Sequence, residues 1–208
     1  MNYLLSTAYW PNLYYFSCVL NSENIMIEQF ENYQKQSFRN RCTILSANGP
    51  LDLIIPVQNN GNKQLTKDVL ISYKENWQIK HWRAITSAYR NSPYFEHFEP
   101  EIHFFYEQKF EFLLEYNVEQ LKLLLKLLRV SKSINLSNSY ETLPEHSLDL
   151  RTSIHPKLDF SDSDNLIQKL RKPYYQVFVD KFGFTPNLSI LDLFFNTGLG
   201  TVDYLSGK

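Results

Sequence analysis

The run Tyr3-Leu-Leu-Ser-Thr-Ala-Tyr9-Trp10-Pro11-Asn12, followed by Tyr14-Tyr-Phe-Ser-Cys-Val-Leu20 and then Ile25-Met-Ile-Glu28, decides the fold. Tyr3 to Ala8 is a short apolar stretch of strand character. Pro11 stands where a helix can begin, because its fixed φ and missing N–H suit a first turn. Tyr14 to Leu20 reads as that helix, Asn21 to Asn24 as polar punctuation, and Ile25 to Glu28 as a second strand. Strand, helix, strand is a β-α-β unit, whose strands run parallel when adjacent. The loop Thr7 to Asn12 then lies at the carboxyl end of the first strand, where open α/β sheets hold their ligands.

Outward from this unit the chain predicts a meander. Arg41 to Leu45 and Leu51 to Val57 flank Ser46-Ala-Asn48-Gly49-Pro50, and Asn-Gly between apolar runs is a hairpin signal. Asn59-Asn-Gly61-Asn leads to Asp68 to Tyr73 as a third antiparallel strand. Beyond Tyr73 the pattern turns helical. Trp77, His81, Ile85 and Ala88 recur at helical spacing up to Ser92-Pro93. Pro100 opens a second helix with the stripe Ile102, Phe105, Tyr106, Phe112, Leu113 and Tyr116. Asn117 with Gln120 reads as a capping box for a third, through Leu121, Leu124, Leu125 and Leu128. Residues 131 to 165 carry few periodic apolar positions and read as loops and short pieces. Tyr174 to Phe182 is a helix stopped by Gly183, and Ser189 caps a last one from Ile190 to Phe195. The expected fold is α/β: a β-α-β start, a three-strand antiparallel meander, and helices packed on a mixed sheet. One domain spans 1–208, sheet-rich over 1–75 and mainly helical over 76–208.

Composition bounds the function. The chain has 208 residues with 21 Lys plus Arg against 22 Asp plus Glu, a net charge of −1. That balance argues against a nucleic-acid partner or a polybasic membrane protein. The aromatic share of 15% supplies tyrosines for a polar-lined pocket or for a core. Cys18 and Cys42 are the only cysteines, so neither a disulfide framework nor a multi-cysteine zinc site is expected. The uncharged first 20 residues lack a basic flank and are broken by Pro11 and Asn12. Lys122 and Lys126 interrupt Leu121 to Leu128. No membrane span and a cytoplasmic location follow as expectations.

Motifs narrow the chemistry further. There is no phosphate loop, no G-x-S-x-G elbow and no H-E-x-x-H. Gly198-Leu-Gly200-Thr-Val-Asp203 lacks the third glycine of a dinucleotide loop and reads as a turn. Asp159-Phe-Ser-Asp162-Ser-Asp164 lacks the glycine and distal glutamate of a calcium loop and reads as an acidic helix start. No metal or cofactor is expected. Lys35-Gln-Ser-Phe-Arg39-Asn40-Arg41 is the densest basic segment. If it is extended, Arg39 and Arg41 fall on one side, and guanidinium forks suit phosphate or carboxylate. The plainer reading is a solvated loop paired with Glu28 or Glu31. His81 faces the apolar stripe of its helix, as a core histidine or as an acid/base group.

Laid out in order, these segments resemble the WbqC-like family over most of the chain. Tyr9-Trp10-Pro11 with Tyr15-Phe16 resembles its opening block. Lys35 through Asn40-Arg41, the Asn-Gly turn and Leu53-Ile-Ile-Pro56-Val57 resemble its centre. Trp77, His81-Trp82, Tyr89 and Ser92-Pro93-Tyr94-Phe95 resemble its helical block, and Phe184-Thr-Pro186-Asn187-Leu-Ser-Ile190-Leu-Asp192-Leu-Phe-Phe195-Asn its C-terminal signature. The resemblance implies a soluble bacterial protein encoded among genes for surface polysaccharide, often O-antigen, and fits a sugar-modifying transferase. One departure matters: many members read His-Gln-Pro-Asn-Tyr where this chain has Leu5-Ser6-Thr7-Ala8-Tyr9. Either other residues carry the chemistry, or this branch binds without reacting. The family's paired acidic positions after the second strand appear here as Gln29 and Phe30, with Glu28 as a neighbour.

The expected site therefore has Lys35, Arg39 and Arg41 holding an anionic group, such as that of a nucleotide-linked sugar. Asn40 orients a hydroxyl or amide, Tyr9, Tyr89 and Tyr94 line the pocket, and His81 is the acid/base candidate. The alternative is a non-catalytic accessory protein that docks on a glycosyltransferase or assembly partner through exposed aromatics.

Overall fold

The structure is a computed structural model that describes residues 2–58, 63–140, 142, 147–156 and 170–206. The turn Asn59–Asn62 and the acidic run Asp159–Asp164 with the helix start behind it lie outside the described residues. The expected β-α-β unit is present: β1 (Asn2–Leu5), α1 (Leu13–Asn21) and β2 (Ile25–Ile27), with Tyr3 opposite Ile25 and Leu5 opposite Ile27 in a parallel pair. Asn12 caps α1, its Oδ1 accepting from the Tyr15 N–H at 2.9 Å. The first strand stops at Leu5 rather than running to Ala8, because Tyr15 donates its hydroxyl to the Ser6 carbonyl and Trp10 takes a φ of 33°.

A parallel sheet of four strands forms around β1, in the order β5-β2-β1-β6, with β5 at Ile134–Leu136 and β6 at Ser147–Asp149. Both late strands come from the stretch read as loops and short pieces; three residues apiece leave no period to detect. Leu4 and Leu5 are both fully buried although they point to opposite faces, as expected of a strand covered on both sides.

The meander needs correction. β3 (Arg41–Ser46) and β4 (Gly49–Ile54) make the expected hairpin, paired from Arg41–Ile54 to Ser46–Gly49, with Gly49 at a φ of 102° that favours glycine. Its third strand is not there. Thr66–Asp68 is a 3-10 turn, and single bridges join Val57 to Ile71 and Leu70 to Phe112. The hairpin is a separate two-stranded sheet, so the fold holds a parallel sheet and an antiparallel hairpin instead of one mixed sheet.

Seven helices complete the described fold. α2 (Trp77–Tyr89) buries Trp77, His81, Ile85 and Ala88 as the spacing predicts, and packs against β3. α3 runs Phe95–Glu107, so Pro100 lies inside it instead of opening it, and the expected stripe is split, with Phe112 just ahead of the next helix and Leu113 and Tyr116 within it. α4 runs Leu113–Leu127, placing Asn117 and Gln120 mid-helix rather than at a cap. Both side chains are spent on neighbouring loops: Asn117 Nδ2 donates to the Arg39 carbonyl, and Gln120 Oε1 accepts from the Trp10 N–H. α5 is only Val179–Phe182, ended by Gly183, and α6 (Ile190–Thr197) starts at the Ser189 cap. α7 is Gly200–Ser206. Gly198, at a φ of 56°, turns the chain between α6 and α7, and a Cβ there would meet the Tyr94 ring at 2.8 Å. The core is heavily aromatic, with Tyr9, Trp10, Phe16, Tyr89, Tyr116, Phe194 and Phe195 its largest fully buried side chains.

Candidate functional site

The four parallel strands deliver polar residues to one edge. Ser6 follows β1, Glu28 follows β2, Ser137 follows β5, and Arg151 lies two residues beyond β6. Ser137 Oγ donates to Glu28 Oε1 at 2.6 Å, and the Phe30 N–H donates to the same oxygen at 2.8 Å. Arg151 Nη1 stands 3.5 Å from Glu28 Oε2, while its Nε and Nη2 clasp Asp149 and hold that carboxyl below its ordinary range. Arg39 enters from the loop before β3. Its Nε and Nη2 meet the two oxygens of Glu31 at 2.8 and 2.7 Å, and Nη2 also reaches Ser6 Oγ at 2.7 Å. Glu28, Glu31, Arg39 and Arg151 are all buried, so each charge depends on its partner.

On the other side of the same loop lies an open cleft of about 450 Å³. Tyr33, Lys35, Gln36, Asn40, Arg41, Ile54, Val57, Gln58, Lys63 and Gln64 line it, three cations and, among the described residues, no carboxylate. Arg41 Nη1 pairs with Asp52 on β4 at 3.2 Å, while its Nε is buried with no hydrogen-bond partner. Asn40 Nδ2 donates to the Ile55 carbonyl at 2.8 Å, and its Oδ1 is likewise buried and unpartnered. Burial pushes the Tyr33 phenol up to about 12, so it stays neutral at ordinary pH.

His81 occupies a third environment. Trp10 Nε1–H donates to Tyr106 Oη at 2.8 Å, the Tyr106 and Tyr9 hydroxyls are 2.9 Å apart, and Tyr9 Oη is 3.0 Å from His81 Nδ1. Burial lowers the His81 pKa to about 4, against a smaller opposing hydrogen bond to the Ile54 carbonyl. With a neutral ring, the donors run in one direction, from Trp10 through Tyr106 and Tyr9 to His81 Nδ1.

The structure gathers Lys35, Asn40 and Arg41 in the cleft and separates the other named residues from it. Arg39 turns to the sheet edge. Tyr9 is fully buried in the relay, and Tyr89 is fully buried with its ring 5.4 Å from that of Phe195. Tyr94 is exposed and covers Gly198. Leu5, at the position of the family's histidine, is a fully buried strand residue. Lys63 and Tyr33 carried no signal in the sequence. Ser6 and Thr7 follow the strand whose carboxyl end was expected to hold ligand, but their residue types alone gave no motif. Among the described residues no cluster of His, Cys, Asp and Glu could hold a metal, and no helix is long and apolar enough to cross a membrane.

An α/β protein with a polar carboxyl edge and a basic cleft is the class that fold and site define. The model of the WbqC-like protein family matches residues 7–165, and the chain belongs to that family. The C-terminal block Phe184 to Asn196 lies beyond the matched stretch. Comparison with curated proteins and with solved structures returns no match.

Proposed function

We propose that this protein is a sugar-modifying transferase of bacterial surface-polysaccharide biosynthesis, holding the anionic part of a nucleotide-linked sugar in the Lys35–Arg41 cleft. The observation that carries this reading is the lining: Lys35, Arg41 and Lys63 converge with Asn40 and, among the described residues, no carboxylate. A cleft of about 450 Å³ is within the usual range for small-molecule sites, and a nucleotide diphosphate would bring counter-charge to Lys35 and Lys63 while sharing Arg41 with Asp52. Arg41 and Lys35 bind the anion, Asn40 offers its unpartnered Oδ1 to a hydroxyl or amide, and Tyr33 supplies a neutral aromatic wall. Acyl or aminoacyl transfer to an amino sugar is the reaction this setting fits. His81 meets the Tyr9 hydroxyl through Nδ1 and stays the acid/base candidate, outside the cleft lining.

The test is a thermal-shift screen against nucleotide sugars, amino sugars and acyl donors, followed by titration of each hit. A ligand at about a hundred times its Kd raises stability by roughly 2.7 kcal/mol, a shift of a few degrees. Arg41→Ala should weaken binding by about 1.5–3 kcal/mol, the worth of a charge-assisted hydrogen bond. Unchanged affinity in the folded variant removes Arg41 from the site. No shift from any compound favours the accessory-protein reading.

A further inference from the structure

We propose that the crevice between the carboxyl ends of β1 and β6 is a second binding site, one that admits a hydroxyl group of a neutral sugar while the sugar ring rests on Tyr140. The strand order supports this location. The chain leaves β1 for β2 on one side and returns as β6 on the other, so β1 and β6 flank a switch point, where open α/β sheets leave a crevice. Ser6, Thr7, Arg39, Leu150 and Arg151 are among its walls.

Three observations point to a hydroxyl. The Thr7 side chain is 1% exposed and its Oγ1 has no hydrogen-bond partner. Arg151 Nη1 is buried without a hydrogen bond, standing only in longer ionic contact with Glu28. One ligand hydroxyl can accept from Arg151 and exchange a hydrogen bond with Thr7, satisfying two buried groups of a kind that proteins rarely leave unmade. The free space is about 10 Å³, room for a single water-sized group and not for a ring.

Charge and surface select the rest of the ligand. Arg39 pairs with Glu31, and Arg151 with both Glu28 and Asp149, so two cations face three carboxylates and the crevice disfavours an added anion. At its mouth the Arg151 guanidinium lies 5.0 Å from the centre of the Tyr140 ring, which is 54% exposed and free to receive the apolar face of a sugar. This site stands independently of the basic cleft.

The experiment is saturation-transfer NMR and titration of the full chain with N-acetylglucosamine, glucose and galactose, with uridine diphosphate titrated alongside. At least one sugar should receive saturation from the parent protein. Tyr140→Ala should weaken that sugar about tenfold or more. Thr7→Val should weaken it about tenfold with an unchanged or raised Tm, since it removes an unpartnered hydroxyl at constant shape. Arg41→Ala should leave sugar binding intact while weakening uridine diphosphate, which separates this site from the cleft. No saturation transfer to any of the three sugars, or binding that survives both Tyr140→Ala and Thr7→Val, overturns the proposal. A clear fall in Tm for Thr7→Val would also overturn it, by showing that the hydroxyl already serves the protein.

Discussion

Arg39 and Arg41 are two residues apart and chemically identical, yet the fold puts them to opposite uses. Arg39 is 2% exposed and spends its Nε and Nη2 on Glu31 and Ser6. Arg41 is partly exposed, pairs with one half-exposed carboxylate at 3.2 Å, and lines a cleft with two other cations. An extended chain would have set both on one side. The strand begins only at Arg41, however, and the loop before it turns tightly, with Gln36 at a φ of 57°. The difference separates a cation whose counter-charge is buried with it from one that shares a single solvent-screened carboxylate and stays open to a counter-charge from outside.

Substitution gives the largest contrast. Arg39→Ala leaves the Glu31 carboxylate buried and unpaired, and should cost about 3–5 kcal/mol of stability in urea unfolding. Arg41→Ala breaks only a solvent-screened pair and should cost under about 1 kcal/mol. Equal losses would erase the distinction between the two sites. A small loss at Arg39 alone would mean that water reaches Glu31 and that the sheet edge is open.

Buried titrating groups sharpen the same contrast, since groups whose partners are internal report through stability. His81 titrates near 4 in the folded state against 6.5 unfolded, so the unfolded chain binds the extra proton and stability falls as pH drops through that window. Asp192 does the reverse. Burial outweighs its hydrogen bonds from Tyr174 and Gln176 and raises its carboxyl from 3.8 to about 6, so its folded form takes up the proton first and stability rises as pH drops from 6. Each window is worth about 3 kcal/mol at 1.36 kcal/mol per pH unit, with opposite signs. The stability difference between parent and His81→Gln should therefore shrink as pH falls from 6.5 to 4. The difference between parent and Asp192→Asn should grow from pH 6 to 4. Two flat differences would mean that both side chains are hydrated.

Local signals made several early elements of the fold legible. Pro11 marked the approach to a helix, Asn48-Gly49 closed a hairpin, and the stripe Trp77, His81, Ile85 and Ala88 buried as expected. What stayed hidden depended on distant partners. β5 and β6 are three residues long and gain their hydrogen bonds from β2 and β1. Asn117 and Gln120 have the spacing of a cap but serve the Arg39 and Trp10 backbones instead. At the candidate site, Lys35, Asn40 and Arg41 were readable because a dense basic segment needs no partner to be noticed. Glu31 was readable only as a surface counter-ion, and the inward turn of Arg39 that buries it has no sequence signature.

The smallest effect falls on the one internal partner that Arg41 does have. Asp52 accepts from Thr43 Oγ1 at 2.6 Å and shares its other oxygen with Arg41. Asp52→Asn keeps an acceptor for Thr43 while removing the charge that competes with an incoming anion. Exposed pairs are worth about 0.2–1 kcal/mol, so uridine diphosphate should bind about 1.5–5 times more tightly and stability should change by less than about 1 kcal/mol. In 1 M salt, where screening acts over roughly 3 Å, that gain should vanish. Weaker binding in Asp52→Asn would mean that Asp52 positions the Arg41 guanidinium instead of competing for it. Arg41 would then be preset by the protein as Arg39 is, and the two arginines would differ in exposure alone.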